Sequence, residues 1–317
     1  MSVRTRIFHA VDLNGDGRDE LLVSGNGQVN ILEYNNSFTT AANLGYSHFG
    51  GKSPQYPDLR SVLTIGDIDN DNRNEALIFG LNSMQVIDWT DNEYSFTVHH
   101  LDKSADQAII GDIDGDGKNE IVTLNYDRAL EYENYRFTMS ILGTKADGWE
   151  ESWCDDGSLE LDCNGIQPPP RLCSIGKISE DGPVYLVMTN QQSDMSATWF
   201  KFYIWDGEIL NLEFVKRFEK PNKEERPFLM GKFNFVMKDG SYCVESKEFA
   251  YRDGIPMGQI VISFPDGEIN DNWQVVERSP GIYGRNITYR ELILNPDSRG
   301  EGKLKVTYSS KSYEFDR

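Results

Sequence analysis

Apolar and polar residues take turns along much of this chain. Runs such as "QVNILEY" (28–34), "MQVIDW" (84–89), "YSFTVHH" (94–100), "FKFYIW" (200–205), "QIVISF" (259–264), "WQVVERS" (273–279) and "LKVTYSS" (304–310) follow the two-residue period of half-buried strands. They are rich in Val, Ile, Tyr and Phe, and "DGE" or "DNE" turns separate several of them. No long helical stripe interrupts them. The pattern predicts strands throughout.

The strands are organised by a repeat. "VDLNGDGRDELLV" (11–23), "GDIDNDNRNEALIFG" (66–80) and "GDIDGDGKNEIVTL" (111–124) are three copies of one segment, with first aspartates Asp12, Asp67 and Asp112. The outline then decays. "GKISEDGPVYLVM" (176–188) aligns on the third copy without a gap, with Lys177, Ser179 and Tyr185 replacing two aspartates and the glutamate. "GKFNFVMKDGSYCV" (231–244) and "LILNPDSRGEGKLKV" (292–306) are weaker copies. Six copies give a period of about 53 residues and about four strands each, the size of a propeller blade. The expected fold is all-β: a β-propeller of four-stranded antiparallel blades, six by count, with seven as the alternative. It is expected to be one domain over 1–317, its ring closed by pairing the two chain ends unless the chain continues. Residues 142–170 break the rhythm and end in a Pro run, so they read as a loop insertion that could carry function.

Each intact copy offers oxygen at alternate positions. In the third, Asp112, Asp114 and Asp116 stand at positions one, three and five, Lys118 at seven presents its carbonyl, and Glu120 stands at nine. The same places hold Asp12, Asn14, Asp16, Arg18 and Glu20 in the first copy, and Asp67, Asp69, Asp71, Arg73 and Glu75 in the second. Gly117 permits the sharp turn, and Asn72 replaces it in the second copy because Asn tolerates left-handed backbone. Oxygens alternating around a bend suit calcium, which takes six to eight oxygen ligands, better than magnesium. A plain hairpin turn needs no carboxylates at these four positions. An EF-hand needs a Glu at position twelve and flanking helices, whereas position twelve here is Val23, Ile78 or Thr123 and the flanks are strands. About three calcium ions are expected, locking the loop between the first two strands of a blade. In the fourth copy Lys177 stands where the first ligand belongs, and no ion is expected there.

Charge agrees with that reading. Among 317 residues, 51 are acidic and 31 basic, a net charge of −20. Such a surface repels phosphate, so nucleic acid is not an expected partner. The three loops hold eleven carboxylates, whose mutual repulsion without a cation would cost several kcal/mol. No apolar run reaches the ~18–20 residues of a membrane span. The opening "MSVRTRIFHAVDL" alternates and is too short in apolar residues to read as a signal peptide.

Carboxylates at positions one, five and nine, with a glycine or asparagine at six and an apolar strand following, resemble the FG-GAP/VCBS repeat of integrin-α-like β-propellers. The likeness is specific over 11–23, 66–80 and 111–124; "HFGGKS" (48–53) and "IFG" (78–80) only echo the literal signature. The resemblance implies calcium-stabilised blades, adhesion or ligand binding, and an extracellular setting. The chain is therefore expected to be secreted or displayed at the cell surface, with a cytoplasmic location as the alternative.

Signatures of catalysis are thin. The four histidines are His9, His48, His99 and His100; adjacent His99 and His100 would face opposite ways on a strand. There is no HExxH and no GxSxG. "GYSHFGGKS" (45–53) has the wrong spacing for a phosphate loop, and Pro54 stands where its helix should begin. Cys154 and Cys163 share a polar loop and could close a short disulfide, while Cys173 and Cys243 read as core residues. In "TWFKFYIW" (198–205), Trp199, Lys201, Tyr203 and Trp205 share a face, read as packing between blades or as a platform for a sugar ring. Trp149 and Trp153 are the inserted loop's candidates for exposure. The expected function is a non-catalytic binding module that recognises a glycan or protein through its loop face. A lyase-like polysaccharide enzyme and a scaffold subunit of an assembly are the alternatives.

Overall fold

A computed structural model of the chain describes residues 5–25, 28–44, 62–80, 83–101, 105–127, 136–145, 148–154, 170–191, 197–219, 233–238, 241–249, 256–265, 267, 274–280, 289–294 and 304–309. All regular structure among them is strand. Two compact units are present: residues 1–106 with 288–317, and residues 107–287.

The first unit holds two four-stranded antiparallel sheets and a two-stranded one. The first sheet is β1 (Thr5–Val11), β2 (Glu20–Gly25), β3 (Gln28–Tyr34) and β4 (Phe38–Leu44), in chain order. The second is β5 (Val62–Gly66), β6 (Glu75–Gly80), β7 (Ser83–Thr90) and β8 (Glu93–His100). Their facing apolar residues make one core: Val11, Leu22, Val29 and Ile31 from one sheet, Ala76, Ile78 and Ile87 from the other.

Three more four-stranded sheets make the second unit. They are β9 (Gln107–Gly111), β10 (Glu120–Asp127), β11 (Arg136–Lys145) and β12 (Gly148–Cys154); β13 (Arg171–Gly176), β14 (Tyr185–Gln191), β15 (Ala197–Trp205) and β16 (Leu210–Glu219); and β17 (Phe233–Lys238), β18 (Ser241–Phe249), β19 (Pro256–Ser263) and β20 (Gln274–Pro280). The two remaining strands, β21 (Tyr289–Leu294) and β22 (Leu304–Ser309), pair with each other in the first unit, with β21 beside β1.

The sheet of β13–β16 is buried on both faces, and strand alternation explains how. On β14, Leu186 and Met188 enter one apolar cluster and Tyr185 and Val187 the other. On β15, Tyr203 and Trp205 take the first side, Phe200 and Phe202 the second. The aromatic run is therefore packing between sheets, and Tyr203 and Trp205 are no exposed sugar platform: only 2% and 9% of their surface remains accessible. Buried Cys243 fits its expected place in a core.

First strands lie side by side in this unit, β9 by β13 and β13 by β17. Glycine ends the first two of them for a steric reason. A Cβ on Gly111 would stand 3.0 Å from Ile175 Cβ, and one on Gly176 would collide with the Phe235 ring. Between third and fourth strands the register shifts in four sheets, at Ile31/Leu32, Ile141/Leu142, Phe202/Tyr203 and Val261/Ile262. Such bulges sharpen the twist of the outer pair.

One sequence expectation needs correction. Residues 142–154 are not the start of a loop insertion: they complete β11 and form β12, which pair through Lys145↔Gly148. The charged stretch "TKADGWEE" hides a hairpin whose outer strand is "GWEESWC" (148–154). Residues 155–169 and Cys163, with the disulfide considered for it, lie outside the described residues, as do His48, the phosphate-loop lookalike and the "HFGGKS" echo.

Candidate metal centres

The three acidic segments occupy equivalent places. Each joins the first two strands of its sheet, and the residue before the first aspartate pairs with the glutamate at position nine: Val11↔Glu20, Gly66↔Glu75 and Gly111↔Glu120. The residue at position two is a buried apolar anchor. Leu13 is 1%, Ile68 3% and Ile113 1% exposed. Burying that side chain pulls its amide inward, where the glutamate receives it. Leu13 N–H donates to Glu20 Oε2 at 2.8 Å, Ile68 N–H to Glu75 Oε2 at 2.7 Å and Ile113 N–H to Glu120 Oε2 at 3.0 Å.

Three further amides are taken in the same order in every loop. The position-six amide reaches back to the first aspartate: Gly17 to Asp12 Oδ2 at 2.8 Å, Asn72 to Asp67 Oδ2 and Gly117 to Asp112 Oδ2, both at 3.0 Å. Position five donates to position three, as Asp16 to Asn14 Oδ1, Asp71 to Asp69 Oδ1 and Asp116 to Asp114 Oδ1. Position seven donates to position five at 2.8 Å each time: Arg18 to Asp16, Arg73 to Asp71 and Lys118 to Asp116. These back-bonds need left-handed backbone at positions four and six. Gly15, Asn70 and Gly115 have φ of 71°, 63° and 79°, and Gly17, Asn72 and Gly117 have 83°, 67° and 87°. Only Gly or Asn does this at little cost.

Backbone amides thus orient these acidic side chains, Asp67 and Asp112 through both oxygens and the others through one. The other oxygens bear on whether a cation fits. Asp67, Asp69 and Asp71 each bring an oxygen within 4.8 Å of the others, and so do Asp112, Asp114 and Glu120. In the first loop Asp12, Asp16 and Glu20 form no group that tight, and Asn14 supplies the amide oxygen at position three. Asp12 Oδ1 and Glu75 Oε1 are buried with no hydrogen-bond donor. A buried carboxylate oxygen left unpaired is costly, and a hard cation is the partner that would satisfy several at once. The residues fit such an ion.

Electrostatics point the same way. Burial, with neighbouring aspartates adding to it, pushes Glu20 up to about 7, Glu75 to about 8 and Glu120 to about 7. Asp69 is raised by burial and by the Asp71 charge. Asp71 is lowered by its hydrogen bond from Arg73. Three features escaped the sequence reading: the apolar anchor at position two, the left-handed residue at four, and the cationic side chain at seven, which faces position five. All three are visible in hindsight, because Leu or Ile, Gly or Asn, and Arg or Lys recur there.

The family of FG-GAP-like repeats matches residues 12–78, from the first ligand position of the first loop to the strand after the second. That stretch is similar to an FG-GAP-like repeat. No curated protein matches the chain by sequence. Among solved structures, an Agrocybe aegerita lectin that recognises non-reducing terminal N-acetylglucosamine is 14% identical with a TM-score of 0.55, over 97% of this chain and 75% of that one. A GH43 glycoside hydrolase engineered for endo-xylanase and exo-arabinofuranosidase activity is 12% identical at 0.44, over 91% and 58%. A rhamnogalacturonan lyase is 15% identical at 0.42, over 95% and 66%. The last two scores carry no argument. The lectin likeness bears on fold: like the FG-GAP-like repeat, it belongs with a propeller-like architecture of four-stranded sheets.

Proposed function

We propose that this chain is a calcium-stabilised β-propeller acting as a non-catalytic binding module, and that its ligand is a glycan held by the loop face. One observation carries the metal part. Three loops repeat one hydrogen-bond scheme in which backbone amides orient the acidic side chains, and two of them gather three carboxylate oxygens within 4.8 Å. The ligands would be the side chains of Asp12, Asn14, Asp16 and Glu20, of Asp67, Asp69, Asp71 and Glu75, and of Asp112, Asp114, Asp116 and Glu120. The Arg18, Arg73 and Lys118 carbonyls complete them. Calcium is preferred because it accepts many anionic oxygens in flexible geometry. The ion would hold each first hairpin shut, which is a folding role.

The likeness to a GlcNAc-recognising lectin makes a glycan the ligand class to test first. The test is a glycan array probed with the calcium-loaded full chain and repeated in chelator. Binding to one class of terminal sugar, lost in chelator, is expected. A blank array with stable co-purification of a partner protein would move the reading to a protein ligand. Release of product from acidic polysaccharide would overturn the non-catalytic assignment.

A further inference from the structure

The three loops share their backbone scheme but differ at position seven. Lys118 Nζ stands 3.4 Å from Asp116 Oδ2, and Arg18 Nε 3.8 Å from Asp16 Oδ2; both are loose, exposed pairs. Arg73 is different. Its Nε donates to Asp71 Oδ2 at 2.7 Å, and Nη2 donates to the same oxygen. Nη1 donates to the Trp89 carbonyl on β7 at 2.8 Å. Its stem rests on the first loop: a Cβ on Gly15 would lie 3.2 Å from Arg73 Cδ and 3.3 Å from Cγ. One side chain therefore clamps the second loop to its own sheet and packs against the neighbouring loop.

We infer that Arg73 is a built-in cation of the second loop, a positioning residue that braces the loop without metal and competes with calcium for Asp71. The inference rests on the calcium reading above. A forked guanidinium on a carboxylate is a charge-assisted contact with fixed geometry, which a lysine or a distant arginine does not match. A metal ion that takes Asp71 Oδ2 must draw it away from that fork. The looser pairs of the first and third loops impose a much smaller exchange. The second loop therefore holds calcium less tightly than its own carboxylates would allow, and depends on it least for its shape.

Calcium calorimetry on the full chain tests this with Arg73→Gln, Arg73→Lys and, as control, Lys177→Gln. Wild type sets the reference affinities. Arg73→Gln should tighten one calcium site by roughly tenfold, the worth of one such contact. It should also lower the melting temperature in chelator. Arg73→Lys should fall between, and Lys177→Gln, at an exposed position of the fourth loop, should move neither. An unchanged or weakened isotherm for Arg73→Gln overturns the competitor role, and an unchanged melt in chelator overturns the brace. If wild type takes up no calcium, the calcium reading fails and the competitor role with it, while the melts still decide the brace.

Discussion

The loops over 112–119 and 177–184 fill the same place between paired strands, with different chemistry and a different backbone: Gly115 and Gly117 are left-handed, whereas Gly182 N–H closes a turn on the Ser179 carbonyl. Both join first and second strands of a sheet in the second unit. Both close on a matching pair, Gly111↔Glu120 and Gly176↔Tyr185. Both bury an isoleucine at position two, Ile113 and Ile178, each 1% exposed. Both follow a glycine that lets the neighbouring first strand approach. Yet Glu120 in the third loop is replaced in the fourth by Tyr185, buried and edge-on to the Phe202 ring at 6.1 Å. Asp112 is replaced by exposed Lys177. The hairpin itself is held by apolar burial and by the register of its strands. The carboxylates are a layer added on top, present where an ion is proposed and replaced by aromatic packing where none is.

If burial holds the hairpin, the largest effect comes from the shared anchors. Ile113→Ala and Ile178→Ala should each lose about 2–5 kcal/mol in urea unfolding, and by similar amounts in chelator. A much smaller loss for Ile178 would mean that the fourth loop is held by something else.

The next effect separates the two loops. Asp112→Asn with Asp114→Asn should remove one of the calcium steps and its share of the stabilisation, about 2–3 kcal/mol at saturating ion. Lys177→Gln with Ser179→Ala should leave calcium uptake unchanged. Calorimetry on both double variants checks this, and equal losses would erase the distinction.

Glycine substitution gives a graded effect. Gly176→Ala, which meets the Phe235 ring, should cost more than Gly111→Ala, which meets Ile175 at the edge of contact. Both should fall in the range of about 1–3 kcal/mol for overpacking, as thermal melts would report. The reverse order would show that these first strands are not packed as described.

The smallest effect is in pH. Burial raises Glu20, Glu75 and Glu120 from the ordinary 4.5 to about 7, 8 and 7. Without metal, the folded chain then keeps these protons to higher pH than the unfolded chain does. Stability is highest below about 4.5 for these groups and falls as pH rises through 7 to 8. Glu120→Gln should flatten that slope by one group, while Tyr185→Phe should leave it unchanged. Melts in chelator between pH 5 and 8 would sink the argument if the metal-free chain grew more stable as pH rose.

Much of this comparison was legible in the sequence. Alternation gave the strands, and the repeat placed each acidic loop between the first two of them. Left-handed Asn72 and Gly117 followed from residue type alone. Other features depended on long-range packing. Nothing local shows that Gly176 faces Phe235, nearly sixty residues on, or that Arg73 rests on Gly15. The hairpin over 142–154 reads as loop in the sequence because its charged "TKADGWEE" breaks the apolar alternation. The Trp199–Trp205 face could be weighed but not settled, since alternation is identical for a core strand and an exposed platform.

The central claim is that calcium holds the acidic loops. It is tested most directly by metal analysis of the calcium-equilibrated full chain, with thermal melts in calcium, magnesium and chelator. The account predicts about three bound calcium ions and a calcium-specific rise of several degrees in melting temperature. No bound ion and no shift would contradict it: the loops would then be Asp-rich turns, and the buried oxygens of Asp12 and Glu75 would need another partner.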